Sequence, residues 1–174
     1  MLTLPAAAQS ESDLTAEQLE ALFATQKTRG LVIAPSTETT TATTGATAVE
    51  PATSAADYVE LAKDEQVNVQ VSFDFDSAAL REDQKPKLAT LCEVMKKVDV
   101  QVFRIVGHTD ASGSASYNER LSLLRAEEVK RHMVTECGLP ESKLQAVGVG
   151  EQFPFNAAEP RADENRRVEF QALS

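Results

Sequence analysis

Residues 107–129, GHTDASGSASYNERLSLLRAEEV, combine a loop of small polar residues that contains an acid with a helix that carries an arginine. On a helical wheel of about 100° per residue, Arg125 falls inside the apolar arc that Leu121 and Met133 mark. A buried guanidinium without a partner is costly, so Arg125 requires an anion. Asp110, in the loop before the helix, is the natural candidate, and a structural ion pair between Asp110 and Arg125 is one interpretation.

The same two side chains could instead bind a zwitterion. Arg125 would hold a carboxylate in a bidentate contact, and Asp110 would hold an ammonium group. The backbone N–H groups of residues 111–113 could add donors to the carboxylate. Residue types and spacing leave both interpretations open.

Catalytic chemistry has little support in this sequence. The chain has two histidines, His108 and His132, and it lacks the G-x-S-x-G motif of a nucleophile elbow. The glycines of GVGE lack the lysine and the strand–loop–helix context of a phosphate-binding loop. We therefore predict a protein that is not an enzyme and has no cofactor.

The two cysteines, Cys92 and Cys137, do not predict a metal site. They lack C-x-x-C spacing, and two thiols cannot complete a zinc site alone. They could be two buried thiols or, in an exported protein, the partners of a disulfide.

Composition excludes several classes of partner. The 174 residues carry a net charge of −10 without a cluster of Lys and Arg, which argues against nucleic acid and anionic membrane surfaces. No apolar run approaches the about 18 residues of a candidate membrane span. Ala6, Ala7 and Ala8 before Gln9 resemble the cleavage end of a secretory signal, so we predict export and interpret residues 1–10 as residual signal or disordered chain.

Residues 11–34 predict a short amphipathic helix followed by an extended apolar segment. The helix spans 13–28, and Asp13 or Thr15 could cap its start. It could pack on the folded domain, or it could dock a partner protein of the cell envelope.

The remaining chain divides into a linker and a folded domain. Residues 35–56 are almost all Thr, Ala, Ser, Pro and Glu, which predicts a flexible linker. Residues 57–174 predict one domain large enough for its own core.

Strands and helices alternate in the folded domain. Hydrophobic periodicity predicts strands over 67–73, 100–108, 144–150 and 166–173, and helices over 82–97 and 116–136, the second with a capping box of Ser116 and Glu119. This β-α-β-α-β-β order predicts an α/β (α+β) fold, with a mixed sheet and two main helices packed on one face.

Four ordered motifs resemble one known family. GHTDASGSASYNERLSLLRA is similar to the signature of the OmpA-like C-terminal domain, the peptidoglycan-binding module also found in Pal lipoproteins and MotB-type stator proteins. FDFDSAAL at 73–80, GVGEQFP at 148–154 and NRRVEF at 165–170 match the same family in order. The resemblance covers about residues 67–172, whereas residues 1–56 match nothing in the family.

The resemblance implies a ligand and the residues that bind it. The ligand is the diaminopimelate of the peptidoglycan stem peptide, bound noncovalently so that an envelope component is anchored to the cell wall. Carried over by motif, Asp110 binds the ammonium group and Arg125 the carboxylate. The family pattern adds five residues to the pocket, namely Asp76, Thr109, Ser112, Asn118 and Arg166.

The resemblance also implies a location and leaves one alternative function open. The location is the periplasm, in association with the outer membrane, and the partner is peptidoglycan. The alternative is an assembly protein in which residues 13–34 dock an envelope complex and wall binding is secondary.

Overall fold

The computed structural model of the protein describes residues 14–28, 58–74 and 77–173. The predicted residual signal, the predicted linker over 35–56 and Asp76 lie outside the described residues. The α-helices are α1 (Ala16–Thr28), α2 (Lys85–Lys97) and α3 (Ala115–Thr135), and the strands are β1 (Val67–Val69), β2 (Val102–His108), β3 (Leu144–Gly150) and β4 (Val168–Leu173). Short 3-10 helices are Lys63–Glu65, Glu82–Gln84, Glu141–Lys143 and Asp163–Asn165.

The strands form one mixed sheet in the order β1-β4-β2-β3. β2 and β3 are parallel, whereas β4 is antiparallel to both of its neighbours, β1 and β2. This confirms the predicted mixed α/β architecture.

All three described α-helices contribute to one core on one face of the sheet. Side chains of the helices meet the inward-facing side chains of the strands there, and the largest fully buried members are Phe23, Leu88, Leu91, Phe103, Ile105, Met133 and Phe170. The prediction of two main helices on one face is confirmed, and α1 joins them. Burial of such large apolar side chains is the dominant stabilising contribution to a domain of this kind.

Two glycines let α3 lie directly on the parallel strands. A Cβ at Gly107 would lie 2.0 Å from the backbone oxygen of Ser122, and a Cβ at Gly148 would lie 2.4 Å from the backbone nitrogen of Leu123. The hydroxyl of Ser122 also accepts a hydrogen bond from the Gly150 N–H at 2.9 Å. The N-terminal half of α3 is therefore fixed against the carboxyl ends of β2 and β3.

Helix α1 packs on the folded domain. Thr15 and Gln18 form a reciprocal capping box, which confirms Thr15 as the cap. The ring of Phe23 contacts Phe103 edge-on at 5.2 Å between centroids. The buried side chain of Gln26 accepts from the Ala172 N–H and donates to the Glu65 carbonyl. The apolar side of α1 is therefore buried against the folded domain, as one of the two interpretations predicts. Docking of a partner by residues 13–34 stays a prediction, and residues 13 and 29–34 lie outside the described residues.

Two local predictions are also wrong. The strand predicted over 67–73 ends at Val69, because Val69 pairs with Val168, the first residue of β4, and no partner strand continues beyond it. The predicted capping box of Ser116 and Glu119 is absent. Helix α3 begins earlier, and the hydroxyl of Ser114 caps it by accepting from the Tyr117 N–H at 3.3 Å.

A disulfide joins Cys92 of α2 to Cys137, just after α3, with 5.8 Å between the Cα atoms and a sequence separation of 45. Of the two open interpretations, the structure has the disulfide. Within the described segments, no helix has the length and apolarity that crossing a bilayer requires.

We expect the disulfide to contribute about 2–4 kcal/mol to the free energy of unfolding, because it restricts a long loop in the unfolded chain. Replacing both cysteines with serine should lower the denaturant midpoint accordingly, and reduced wild-type protein should show the same loss. Equal midpoints for oxidised and reduced wild-type protein would contradict this expectation.

Candidate functional site

A polar cleft opens beside the N-terminal half of α3. It lies between the chain that leaves β1 and the loop that enters β4, and its volume is about 200 Å³. Its lining residues are Gln70, Val71, Ser72, Phe73, Arg125, Asp163 and Arg166. Two of the residues predicted to bind a ligand, Arg125 and Arg166, therefore share one cleft.

Arg125 is buried at this cleft, with only 9% of its surface exposed. Its Nε donates to the Ser77 carbonyl at 3.2 Å, and its guanidinium carbon lies 4.7 Å from the centre of the Phe73 ring. Burial lowers the pKa of Arg125 from its ordinary value, although an arginine stays protonated in proteins. Within the described residues Arg125 forms no ion pair, so the predicted Asp110–Arg125 ion pair is wrong.

Asp110 follows β2 and pairs instead with an arginine from the loop before β4. Its Oδ2 accepts from Nη1 of Arg166 at 2.6 Å, and its Oδ1 accepts from the Ser112 N–H at 2.8 Å. Burial alone would raise the pKa of Asp110, but the hydrogen bonds from Ser112 and Arg166 outweigh it and lower the pKa. Asp110 is therefore ionised at neutral pH.

Arg166 bridges two carboxylates. Besides Asp110 it contacts Asp163 at 2.5 Å, and 42% of its side chain is exposed. The hydrogen bond to Asp110 is the main reason that the pKa of Arg166 is raised. The two guanidinium groups of the cleft thus differ: Arg166 is neutralised by acids on both sides, whereas Arg125 has no described counter-ion.

The loop amides that we expected to bind a carboxylate have other partners. The Ser112 N–H donates to Asp110, and the Ala111 N–H donates to the Pro160 carbonyl at 2.9 Å. Gly113 has φ 94°, a left-handed conformation that favours glycine. The expectation of free donors from residues 111–113 is therefore wrong for two of the three.

Asn118 and Thr109 are buried behind the loop. The Asn118 amide donates to the Asp110 carbonyl at 3.3 Å and to the Glu151 carboxylate at 2.5 Å. The Thr109 N–H donates to the Gly150 carbonyl, and its hydroxyl has no partner among the described residues. These contacts fix the loop to the end of β3. A ligand-binding role for Asn118, Thr109 and Ser112 stays a prediction, and Asp76 lies outside the described residues.

Two residues that line the cleft were not among the predicted site residues. Phe73 supplies the aromatic face that the Arg125 guanidinium covers, and Asp163 supplies the second acid of Arg166. Phe73 is the first residue of the FDFDS motif, so the family pattern could have indicated it. Asp163 carries no local signal, because it reaches Arg166 only through the 3-10 turn before β4.

A buried hydrogen-bond network supports the loop from the opposite face of the sheet. The carboxylate of Glu169 lies 3.0 Å from Nε2 of His108 and accepts from Tyr58 and Gln171, each at 2.9 Å. Burial lowers the pKa of His108, and the hydrogen bond to Glu169 opposes this only in part. Burial would raise the pKa of Glu169, but hydrogen bonds, first that with His108, lower it. A neutral His108 therefore donates from Nε2 to an ionised Glu169.

We expect acid to destabilise the protein through these groups. On acidification the unfolded chain binds protons first, so the free energy of unfolding falls. The fall begins near pH 6.5 as His108 protonates in the unfolded chain, and a further fall begins near pH 4.5 with Glu169. For each proton that the unfolded chain binds in excess of the folded chain, the free energy of unfolding changes by at most about 1.4 kcal/mol per pH unit.

Denaturant unfolding across this pH range checks the prediction. Burial also lowers the pKa of His132, which contributes in the same upper window. The His132→Gln variant should keep the part of the slope that belongs to His108, and His108→Gln should lose it. A free energy of unfolding that stays constant from about pH 7.5 to about pH 5.5 would contradict the assignment.

The sequence of this chain is similar to one known family and to outer-membrane proteins. A sequence model of the OmpA family matches residues 72–167. Outer membrane porin F of Pseudomonas aeruginosa is 39% identical over 107 residues, which cover 60% of this chain and 30% of that protein. Outer membrane protein Omp38 of Acinetobacter baumannii is 34% identical over 122 residues, which cover 69% of this chain and 34% of that protein. The chain thus spans about a third of the length of these relatives.

Solved structures agree with the sequence comparison. A MotB-like protein from Desulfovibrio vulgaris is similar with a TM-score of 0.52 and 27% identity, over 65% of this chain and 76% of that one. The OmpA-like domain of FopA1 from Francisella tularensis has a TM-score of 0.53 at 23% identity, over 63% and 75% of the two chains, and shows the same fold.

Proposed function

Because this chain belongs to the OmpA family, we propose that it binds peptidoglycan noncovalently and holds a component of the envelope against the cell wall. Association with peptidoglycan is the known role of OmpA-like domains. Porin F and Omp38, two of the relatives that match, are outer-membrane proteins by name. The proposed location is therefore the periplasm, at the face of the outer membrane where the wall lies.

The single observation that carries the proposal is the uncompensated charge of Arg125. A cation that is 91% buried loses much of its hydration, and within the described residues no acid replaces it. Arg166 attracts a ligand anion less strongly than Arg125 does, because Asp110 and Asp163 already neutralise its charge. The cleft is thus suited to a ligand that brings its own carboxylate to Arg125.

Asp110 adds the complementary half of the recognition. Each of its two oxygens accepts one hydrogen bond in the structure, and a carboxylate oxygen can accept a second. A ligand ammonium group could therefore join Arg166 at Asp110. The free end of diaminopimelate carries a carboxylate and an ammonium on one carbon, and it would satisfy Arg125 and Asp110 together.

The proposed activity is retention of a ligand and not its conversion. Proteins of this family are generally not enzymes. Among the described residues that line the cleft, none is a histidine or a cysteine that could act as a general base or a strong nucleophile. The charged groups of the cleft are suited to binding a zwitterion at neutral pH.

Sedimentation with purified sacculi tests the proposal. The wild-type protein should sediment with a diaminopimelate-type wall and remain in solution with a lysine-type wall, because lysine lacks the side-chain carboxylate. Free diaminopimelate should release the protein from the wall, and free lysine at the same concentration should not. Equal sedimentation with both walls, or with neither, would show that the proposed ligand is wrong.

A further inference from the structure

Four possible metal donors converge near the C-terminal end of α3. Cys92 comes from α2, His132 and Met133 come from α3, and Cys137 follows that helix. The two Sγ atoms and one imidazole nitrogen all lie within 4.8 Å of one another. The Sδ of Met133 lies 3.6 Å from each Sγ. Arg125 is about 12 Å away along the helix axis from Met133, so this cluster is separate from the cleft.

We propose that Cys92, His132 and Cys137 form a redox-controlled site for a soft d¹⁰ cation, Zn²⁺ or Cu⁺, with Met133 as a fourth donor. Two thiolates and an imidazole are a common donor set for Zn²⁺, and a thioether added to them favours Cu⁺. The proposal does not depend on peptidoglycan binding, because none of these residues lines the cleft.

The disulfide of this structure is the closed state of the site, because sulfurs bonded to each other offer no thiolate ligands. A dithiol reductant opens it. The dithiol supplies two electrons and two protons, becomes a disulfide itself, and leaves Cys92 and Cys137 as thiols. Binding of the cation then displaces one proton from each thiol, so two thiolates hold the metal.

Packing of the helices keeps the donors together without the S–S bond. Cys92 and Cys137 are 5% and 7% exposed, and Met133 is fully buried in the core that α2 and α3 share. Burial of neighbouring Leu88, Leu91 and Val129 fixes the two helices independently of the cysteines. The donors of the reduced protein are therefore close to the arrangement that a cation needs. His132 is only half-buried, so a cation can reach the site from its side.

Competition between the metal and oxidation follows from this arrangement. A bound cation occupies both thiolates, and it slows their oxidation to the disulfide. The same chain can then exist in two forms, one closed by a disulfide and one closed by a metal ion.

Metal titration of the full chain under anaerobic conditions tests the proposal. Reduced wild-type protein should bind one Zn²⁺ or one Cu⁺ per chain in competition with a chelator, and oxidised wild-type protein should bind none. His132→Gln should weaken binding by at least about tenfold, whereas the neighbouring exposed Arg131→Gln should leave it unchanged. Met133→Leu should weaken binding of Cu⁺ more than binding of Zn²⁺.

Two further measurements keep the outcome decisive. Zn²⁺ should slow formation of the disulfide in reduced wild-type protein, followed by trapping of free thiols, and should raise the melting temperature of the reduced chain. Binding by His132→Gln as tight as wild type, or absence of 1:1 binding to the reduced chain, overturns the proposal. Loss of tertiary structure on reduction that Zn²⁺ does not restore overturns it as well.

Discussion

Replacing Arg125 with alanine is expected to abolish sedimentation with diaminopimelate-type sacculi while the domain remains folded. The side chain would no longer offer the ligand carboxylate a charge-assisted bidentate contact, and loss of one partner of a buried charge pair costs about 2–5 kcal/mol in binding. The fold should tolerate the change, because Arg125 has no described ion pair to lose and its buried charge is a cost to the free protein. Sacculus sedimentation together with circular dichroism measures both effects.

Two control variants separate charge from geometry. Arg125→Lys keeps the positive charge but loses the planar fork and the contact with the Phe73 ring, so partial binding is expected. Arg120→Ala removes an exposed arginine from the same helix and should bind like wild type. If folded Arg125→Ala sediments as well as wild type, Arg125 is a structural residue and the proposed function loses its main support.

Adding one methyl group at Gly107 or at Gly148 is expected to destabilise the protein severely. Each new Cβ would meet backbone atoms of α3, at 2.0 Å for Gly107 and 2.4 Å for Gly148. A backbone cannot rotate away as a side chain can, so the helix would have to leave the sheet. We expect Gly107→Ala to cost about 4 kcal/mol, above the about 1–3 kcal/mol of ordinary overpacking, and Gly148→Ala nearly as much.

Gly138→Ala is the matched control for these two variants. Gly138 has φ 70° but nothing within 4 Å of a Cβ placed there, so its substitution tests backbone strain without a clash. We expect a cost of about 1 kcal/mol. Guanidinium unfolding compares the three variants. A cost for Gly107→Ala no larger than that for Gly138→Ala would show that α3 is not in close contact with the strands.

The elements that carry their own periodicity could be predicted from the sequence. β3 has the predicted bounds, and α2 and α3 begin and end within a few residues of the prediction. β1 could not be predicted to its true length, because pairing depends on a second strand. The alternation of VNVQVSF continues to Phe73, yet β4 offers a partner only as far as Val168. Residues 70–73 line the cleft instead.

The burial of Arg125 could be predicted from the sequence, whereas the ion-pair partner of Asp110 could not. Arg125 was conspicuous because a charge within an apolar helical arc needs a special environment, and it is indeed buried. Of the two relations to Asp110 that the sequence left open, the structural ion pair is wrong, because Asp110 pairs with Arg166, 56 residues further along the chain. Joint binding of one ligand stays a prediction. Pairing over such a distance depends on the assembled sheet, which places the start of β4 beside the end of β2.

Glu169 shows a second limit of sequence patterns. In RRVEFQAL the apolar residues Val168 and Phe170 alternate with polar ones, which is typical of a strand with one solvated face. Both polar side chains are nevertheless fully buried, since Tyr58 and Val59 cross that face and bond to Glu169 and Gln171. The sequence of a strand does not show whether a distant segment of the chain will cover its polar face.

The position of β4 in the sheet has a consequence for how the chain is made. Synthesis proceeds from the N-terminus, yet β1 finds its sheet partner only in the last strand of the described chain, which also closes one edge of β2. Until residues 168–173 have emerged from the ribosome, the sheet lacks one of its two inner strands. Contacts between segments so far apart in sequence form late and slowly. The nascent chain therefore cannot complete its sheet before residues 168–173 are available, although β1, β2 and β3 have been made by then.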